Sequence, residues 1–242
     1  QGAEDQRFLS SSRSSWRARL RDGNGRQPAR RQRIWALSRV SEDVSVLDDD
    51  KVRPYLLLAT SYDGSTATTA QFTSIRVVCN NTLKSAVGDP GSQGRTYEPR
   101  VRISHLSKFD APAVREQLSI VISSSWGAFL IKTRKMAGMK FKDEDLESFL
   151  LDLYRVNREQ EQAIKAARKT KAYRRITELF NSEGMGADRA GKTLWGAVNA
   201  VTQYIDYERG NARDTGLEAA WFGDGAAVKV RALAMAQKLV VA

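Results

Sequence analysis

Cysteine and histidine are nearly absent from this chain, whose 242 residues include one of each, Cys79 and His105. A single cysteine cannot form an internal disulfide and is typical of a reducing compartment, so we expect a cytoplasmic protein. One cysteine and one histidine are also too few for a zinc site of the usual Cys/His kind. We therefore predict neither a bound metal nor a cofactor.

Long apolar runs are missing as well. The chain contains no stretch of about 18 apolar residues, so it predicts no membrane-spanning helix. Its polar first residues do not resemble a secretory signal. Hydrophobic residues make up 41% of the chain, which is enough to build a core in one large domain or two small ones.

Acidic residues are outnumbered by basic ones, 28 against 39, and the net charge of +11 favours polyanionic partners. This excess is unevenly spread, because residues 1–32 hold eight arginines against three acidic residues. The same segment is rich in arginine, serine and glycine and has neither strand nor helix periodicity, which predicts an irregular basic arm. The argument from net charge for a nucleic-acid partner therefore depends on a segment that we do not expect to fold.

Strand patterns occupy residues 33–105. Alternating or continuous apolar runs predict strands over 33–40, 44–47, 54–62, 66–75 and 101–105, with a hairpin turn at Asp63-Gly64 and an acidic turn over 48–50. We predict a short helix over 77–87, because Gly88 and Pro90 follow it as stop signals.

Helical periodicity dominates residues 106–242. Apolar residues at helical spacing predict helices over 111–137, 143–154, 159–181, 190–207 and 225–241. The predicted fold is a single α+β domain over 33–242, with an N-terminal antiparallel sheet containing hairpins and a C-terminal half of about five helices.

Polar residues interrupt the apolar run 73–83. Four of them form a first candidate site: Arg76, Cys79, Asn81 and Thr82. Buried polar groups cost free energy unless they find partners. Two interpretations remain open. The groups could point at a phosphate or base from a strand-to-helix corner. Alternatively, Arg76 pairs with a carboxylate and the others are satisfied within the core.

A second candidate site lies on the predicted helix 190–207. Trp195, Asn199 and Asp206 share one side of that helix, because they are spaced by four and seven residues. A tryptophan beside an amide and a carboxylate could bind a planar ligand, or it could be the packing edge of a core helix. No carboxylate cluster has metal-ligand spacing, so we assign no catalytic residue and favour a binding protein over an enzyme.

Basic residues crowd two of the predicted helices, with aromatic residues between them. They are Lys132, Arg134, Lys135, Lys140 and Lys142 near the end of one helix, and Lys165, Arg168, Lys169, Lys171, Arg174 and Arg175 on a later one. Positive charges can contact phosphates while the rings of Phe141, Tyr154 and Tyr173 stack on bases. The alternative is a solvated helix face that pairs with Glu159 and Glu161.

Several long strings resemble one known family. They are IWALSRV (34–40), VRPYLLLATSYDGS (52–65), TSIRVVCNNTL (73–83), GKTLWGAVNAVTQYIDY (191–207) and WFGDGAAVKVRAL (221–233). Together they resemble the phage/plasmid-like proteins of the domain-of-unknown-function family 932, in the same order and over residues 33–242. The resemblance implies carriage on prophages, phages or plasmids, and it implies no known activity.

Residues 1–32 show no such resemblance. Their arginine and serine content is typical of GC-rich DNA translated out of frame, which is our hypothesis for this segment. A gene sequence in which no other frame restores the family pattern would refute it.

We expect a nucleic-acid-binding protein that acts in the replication or recombination of mobile elements. The element order is loosely similar to phage single-strand annealing proteins, which implies single-stranded DNA as the partner and a homo-oligomer. In this interpretation the basic helices follow the backbone of the strand, while Arg76 and Asn81 either hold a phosphate or stabilise the structure. The alternatives are an enzyme acting on nucleotides or nucleic acid, and a non-catalytic protein that contacts host factors.

Overall fold

The architecture is α+β, as predicted, with an antiparallel sheet in the N-terminal half and helices in the C-terminal half. The computed structural model describes residues 17–18, 33–47, 49–61, 67–77, 82–84, 100–104, 110–209 and 224–241. All structural statements below concern these residues. Cys79, Asn81 and the predicted Asp63-Gly64 turn lie outside them.

Among the described residues, seven strands form one sheet. They are β1 (Arg17–Ala18), β2 (Arg33–Arg39), β3 (Val44–Leu47), β4 (Asp50–Ser61), β5 (Thr68–Arg76), β6 (Thr82–Lys84) and β7 (Arg100–Ile103). The strand order is β1-β2-β4-β5-β6, while β3 pairs with β4 and β7 pairs with β5. Every pairing is antiparallel, and the long strands β4 and β5 lie at the centre.

The first half differs from the predictions at three places. The acidic turn predicted over 48–50 is observed at Asp49, whereas Asp50 is buried and opens β4. The helix predicted over 77–87 fails at Thr82–Lys84, which is a strand, because the edge of β5 offers unpaired backbone groups to it. Within the predicted irregular arm, Arg17–Ala18 pairs with β2 as a short strand.

The helices follow the sheet. They are α1 (Ala111–Gly138), α2 (Asp143–Leu153), α3 (Glu161–Lys169), α4 (Lys171–Glu178), α5 (Ala187–Ala190), α6 (Leu194–Gln203) and α7 (Asp224–Leu239). One π-helical turn, Leu179–Glu183, continues α4, and another, Tyr204–Glu208, continues α6.

Two of the five predicted helices are divided. The helix predicted over 159–181 breaks at Thr170, whose extended backbone ends α3 and whose hydroxyl accepts a hydrogen bond from the Tyr173 N–H to cap α4. The helix predicted over 190–207 starts only at Leu194. Gly191, with φ 59°, ends α5, and the Thr193 hydroxyl caps α6.

The core lies between the sheet and the helical layer. Phe72 of β5 contacts two aromatic rings of α1, with ring centroids 5.6 Å from Trp126 and 6.0 Å from Phe129. Helix α6 is buried along its whole length and packs against α1 and α7. The sheet and the helices therefore share one core, to which both halves of the chain contribute.

We predict that Phe129→Ala lowers the free energy of unfolding by about 3–5 kcal/mol, because it removes a buried ring and leaves a cavity between α1 and β5. Urea denaturation followed by tryptophan fluorescence measures the loss. The matched control is Val241→Ala, at a residue that is 71% exposed, and it should change stability by less than about 0.5 kcal/mol. Equal effects of the two substitutions would contradict this account of the core.

Candidate functional site

The register of β4 and β5 places a carboxylate beside Arg76. Val52 lies directly opposite Arg76, so Asp50, two residues earlier on the same face, is its diagonal neighbour. The side chain of Asp50 is 0% exposed and that of Arg76 is 1% exposed, and the two form a bidentate ion pair. Arg76 Nε donates to Asp50 Oδ1 at 2.7 Å, and Nη2 donates to Oδ2 at 2.8 Å.

The loop before α5 supplies the other acceptors for the guanidinium. Arg76 Nη1 donates to the Met185 carbonyl at 3.1 Å, and Nη2 donates to the Gly186 carbonyl at 2.7 Å. Gly186 has φ 72°, a left-handed conformation that glycine adopts at little cost. A Cβ on Gly184 would lie 2.3 Å from the Leu179 carbonyl oxygen, so the loop is also closely packed.

Helix α6 completes this network. The indole N–H of Trp195, a residue that is 0% exposed, donates to Asp50 Oδ2 at 2.8 Å. The Asn199 amide donates to the Trp195 carbonyl at 2.8 Å, and Gln203 Oε1 accepts from the Met185 N–H at 2.9 Å. Strands β4 and β5, the loop 184–186 and α6 are thus joined by one buried set of hydrogen bonds.

The cavity within this network is small. It is lined in part by Arg76, Asn199 and Gln203, and its volume of about 10 Å³ is close to the minimum needed for one water molecule. A base or a phosphate group does not fit there. Of the two interpretations of Arg76, the contact with a phosphate is therefore corrected, and the pairing with a carboxylate is confirmed, because the buried guanidinium is bonded to Asp50. Trp195 and Asn199 belong to the same structural network.

Asp206 takes part in a different network. It lies in the π-helical turn Tyr204–Glu208 and pairs with Lys229 of α7 at 2.5 Å. The two side chains are 9% and 2% exposed. Burial lowers the pKa of Lys229, and the Asp206 carboxylate opposes that shift. The residues predicted to form one polar side of a helix therefore have different partners: Trp195 bonds to the sheet, and Asp206 bonds to α7.

Sequence reasoning missed Asp50, Gln203 and Lys229. For Asp50 a signal existed, because it continues the alternation of buried residues through Val52 and Leu56 on one face of β4. Three consecutive aspartates suggested a turn instead. Thr82, the remaining residue of the predicted polar site, is described only as part of the backbone of β6.

The first basic cluster adjoins acidic residues. Lys132, Arg134 and Lys135 lie near the end of α1, and Lys140 and Lys142 lie just before α2. The first turn of α2 that follows contains three carboxylates, and one of them, on Asp143, pairs with Lys192 at 3.1 Å. The Arg134 guanidinium donates to the Ser45 carbonyl. Among the described residues, none of these five basic side chains has a carboxylate within 4.0 Å, but the acidic first turn of α2 directly follows Lys142 and weakens the local positive potential.

The second basic cluster, on α3 and α4, is only partly neutralised. Arg168 pairs with Glu147 at 2.6 Å and Lys165 pairs with Glu161 at 2.6 Å. Arg175 donates to Glu208 through two nitrogens and also pairs with Glu178 and Glu183.

The other three basic residues of this cluster are Lys169, Lys171 and Arg174. All three are exposed. Within the described part of the chain, no carboxylate lies within 4.0 Å of their charged groups. These three cations are therefore available to a partner in solvent.

Among the described residues, no group of three or more histidine, cysteine, aspartate or glutamate side chains could hold a metal ion. None of the helices described is both long and apolar enough to cross a bilayer.

One family model matches most of the chain. It is DUF932, a domain of unknown function, and the match extends over residues 15–232. The chain belongs to the DUF932 family. The resemblance identified from the sequence strings is thereby confirmed, although the DUF932 match begins inside the segment 1–32, where we expected none. The division of the chain at residue 33 stays a prediction. No curated protein and no solved structure matches the chain.

We predict that Asp50→Asn lowers the free energy of unfolding by about 3–5 kcal/mol, because it leaves the Arg76 charge buried without its counter-ion. Chemical denaturation measures the difference from the unsubstituted protein. Asp49→Asn, one residue earlier and exposed, is the matched control and should be nearly neutral.

The double variant Asp50→Leu/Arg76→Met should be more stable than Asp50→Asn, because it removes both buried charges together. If Asp50→Asn and Asp49→Asn were equally stable, the buried network around the ion pair would not stabilise the fold.

The Arg175 cluster predicts a pH dependence of stability. Hydrogen bonds from Arg175 hold the pKa of Glu208 below its ordinary value of 4.5. A lowered carboxyl pKa contributes stability above the unfolded pKa, and this contribution is lost as the pH falls through the folded pKa. The melting temperatures of the unsubstituted protein and Arg175→Gln should therefore differ most above about pH 4.5 and converge in acid.

Thermal melts across this pH range test the linkage. Glu208→Gln should show the same loss of pH dependence as Arg175→Gln. A difference in melting temperature that is constant down to low pH would show that Arg175 stabilises the fold by packing alone.

Proposed function

We propose that this DUF932 protein binds nucleic acid through a basic surface formed by α3 and α4. The observation that carries the proposal is the group of three exposed cations, Lys169, Lys171 and Arg174, which have no carboxylate within 4.0 Å among the described residues. Phosphate groups along a strand present closely spaced negative charges that such a surface can neutralise.

The two helices present this charge to solvent because of how they are attached. Helix α3 has no buried residue, whereas α4 buries Ile176 in the core. The joint at Thr170 brings Lys169, at the end of α3, next to Lys171, at the start of α4. Helix α4 thus anchors a short helical projection, and the cations of both helices lie at its surface.

The positions of the aromatic residues favour binding through the nucleic-acid backbone over binding through base stacking. Phe141 is 5% exposed and packs edge-on against Phe149, and both Tyr154 and Tyr173 pack partly against the core. The ring of Phe141 is therefore not available for stacking on bases, and the rings of Tyr154 and Tyr173 are only partly exposed. We therefore propose binding with little sequence preference, dominated by phosphate contacts.

The partner that we propose is single-stranded DNA, and the role is replication or recombination of a mobile element, as the sequence resemblance implies. An enzyme acting on nucleotides is the alternative. It has less support, because its candidate residues Arg76 and Asn199 are buried and line a space for one water molecule, and Trp195 is buried as well.

Charge reversal on the surface tests the proposal. The variant Lys169→Glu/Lys171→Glu/Arg174→Glu should bind a labelled single-stranded oligonucleotide at least about tenfold more weakly at low salt. The slope of log K against log salt should also become shallower by about 2, because three phosphate contacts are lost. Fluorescence anisotropy over a salt series measures both quantities, with duplex DNA and RNA as parallel ligands.

The matched control reverses three exposed basic residues elsewhere, Lys51, Arg102 and Lys238, and it changes the net charge equally. It should keep the binding constant within about threefold if the contact is local. A third variant reverses Arg19, Arg21 and Arg26 in the N-terminal segment. Loss of binding in that variant alone, equal loss in all three variants, or binding that ignores salt would refute the α3–α4 surface.

A further inference from the structure

Helix α1 carries two isoleucines, with small residues between them, in a stripe on the side opposite the core. The stripe consists of Ile120, Ser124, Gly127 and Ile131, which are spaced by four, three and four residues and so share one side of the helix. Ile120 is 61% exposed and Ile131 is 63% exposed, although the opposite side of α1 is buried against the sheet. A Cβ built on Gly127 would meet no atom within 4 Å, so the middle of the stripe is open to a close approach.

Charged residues flank this stripe with opposite signs. Glu116 lies four residues before Ile120, and Lys135 lies four residues after Ile131, next to Arg134. The pair Ile120/Ile131 and the pair Glu116/Lys135 are centred on the same point, between residues 125 and 126. A second α1 that runs in the opposite direction therefore aligns isoleucine with isoleucine and an acidic residue with a basic one.

We infer that the α1 stripe is a contact surface for a second copy of this chain. In the inferred dimer, two α1 helices pack antiparallel about a twofold axis, with Ile120 of one copy against Ile131 of the other. Glu116 then lies near Arg134 and Lys135 of the second copy at both ends of the contact. A parallel pair would instead place Glu116 beside Glu116 and lose this complementarity.

The contact between two α1 helices is small, so we expect a weak dimer. Helix α1 has 28 residues and is about 42 Å long, but a single pair of helices buries less surface than a typical stable interface. We therefore expect a dimer that forms at high protein concentration and dissociates on dilution. Such a dimer would place two α3–α4 surfaces on one particle, but the inference does not depend on nucleic-acid binding.

Cysteine cross-linking tests the register. In a Cys79→Ser background, which removes the only cysteine, Ile120→Cys and Ile131→Cys are made as separate proteins. Mild oxidation of their mixture should give a covalent dimer, because the two thiols face each other across the contact. Each protein alone should give none, because like positions are about 16 Å apart along the helices, too far for a disulfide. Cross-linking of either protein alone would indicate a parallel pair and overturn the inference.

Sedimentation velocity in the unsubstituted background gives an independent test. Ile120→Asp should shift the chain towards monomer by at least about tenfold in dissociation constant, whereas Val241→Asp, at another exposed apolar residue, should not.

Charge reversals at the flanks test the ends of the contact. Glu116→Lys should weaken the dimer and Arg134→Glu/Lys135→Glu should weaken it too, but a mixture of these two proteins should regain association. Arg115→Glu, which lies next to Glu116 but outside the stripe, is the control. A chain that stays monomeric at the highest concentration, or a dimer that Ile120→Asp leaves intact, would refute the inferred surface.

Discussion

The buried ion pair between Asp50 and Arg76 constrains the rest of this structure. Moving two charges out of water costs several kcal/mol for each ion, and only a complete set of hydrogen bonds offsets that cost. Here the set includes the indole of Trp195 and the carbonyl groups of Met185 and Gly186. The ion pair itself lies in the sheet, whereas the groups that complete its hydrogen bonds come from α6 and from the loop before α5. The charges are therefore satisfied only when both halves of the chain have assembled.

Charge has different roles in different parts of the molecule. In the interior, Arg76 and Lys229 each meet a carboxylate on a neighbouring element, and Arg76 also bonds to Met185 and Gly186, 109 and 110 residues away along the chain. At the surface, Arg175 is surrounded by three glutamates, which leave it little capacity for a phosphate. Net charge alone is thus a poor guide to a binding surface, because it counts paired and available cations equally. The exposed cations of α3 and α4 matter because the fold leaves them available.

Prediction succeeded where one physical pattern dominated a segment. Helix α1 was expected over 111–137 and is observed over Ala111–Gly138, because its buried residues recur at helical spacing. Prediction failed where a local signal and a tertiary contact disagreed. Thr82–Lys84 forms a strand because β5 offers it an edge, and the chain breaks at Thr170 because that residue caps the next helix. Asp50 was assigned to a turn by its acidic neighbours, yet its partner lies 26 residues away.

The order of residues along the chain is enough to establish the α+β class, the long helix, most strands and membership of the DUF932 family. These features follow from periodicity and from matching strings, which are local properties. The partner of each charged residue is not a local property, because it depends on strand register and on how α6 packs against the sheet. That packing is why Arg76 became part of the core, whereas Lys169, Lys171 and Arg174 remained at the surface.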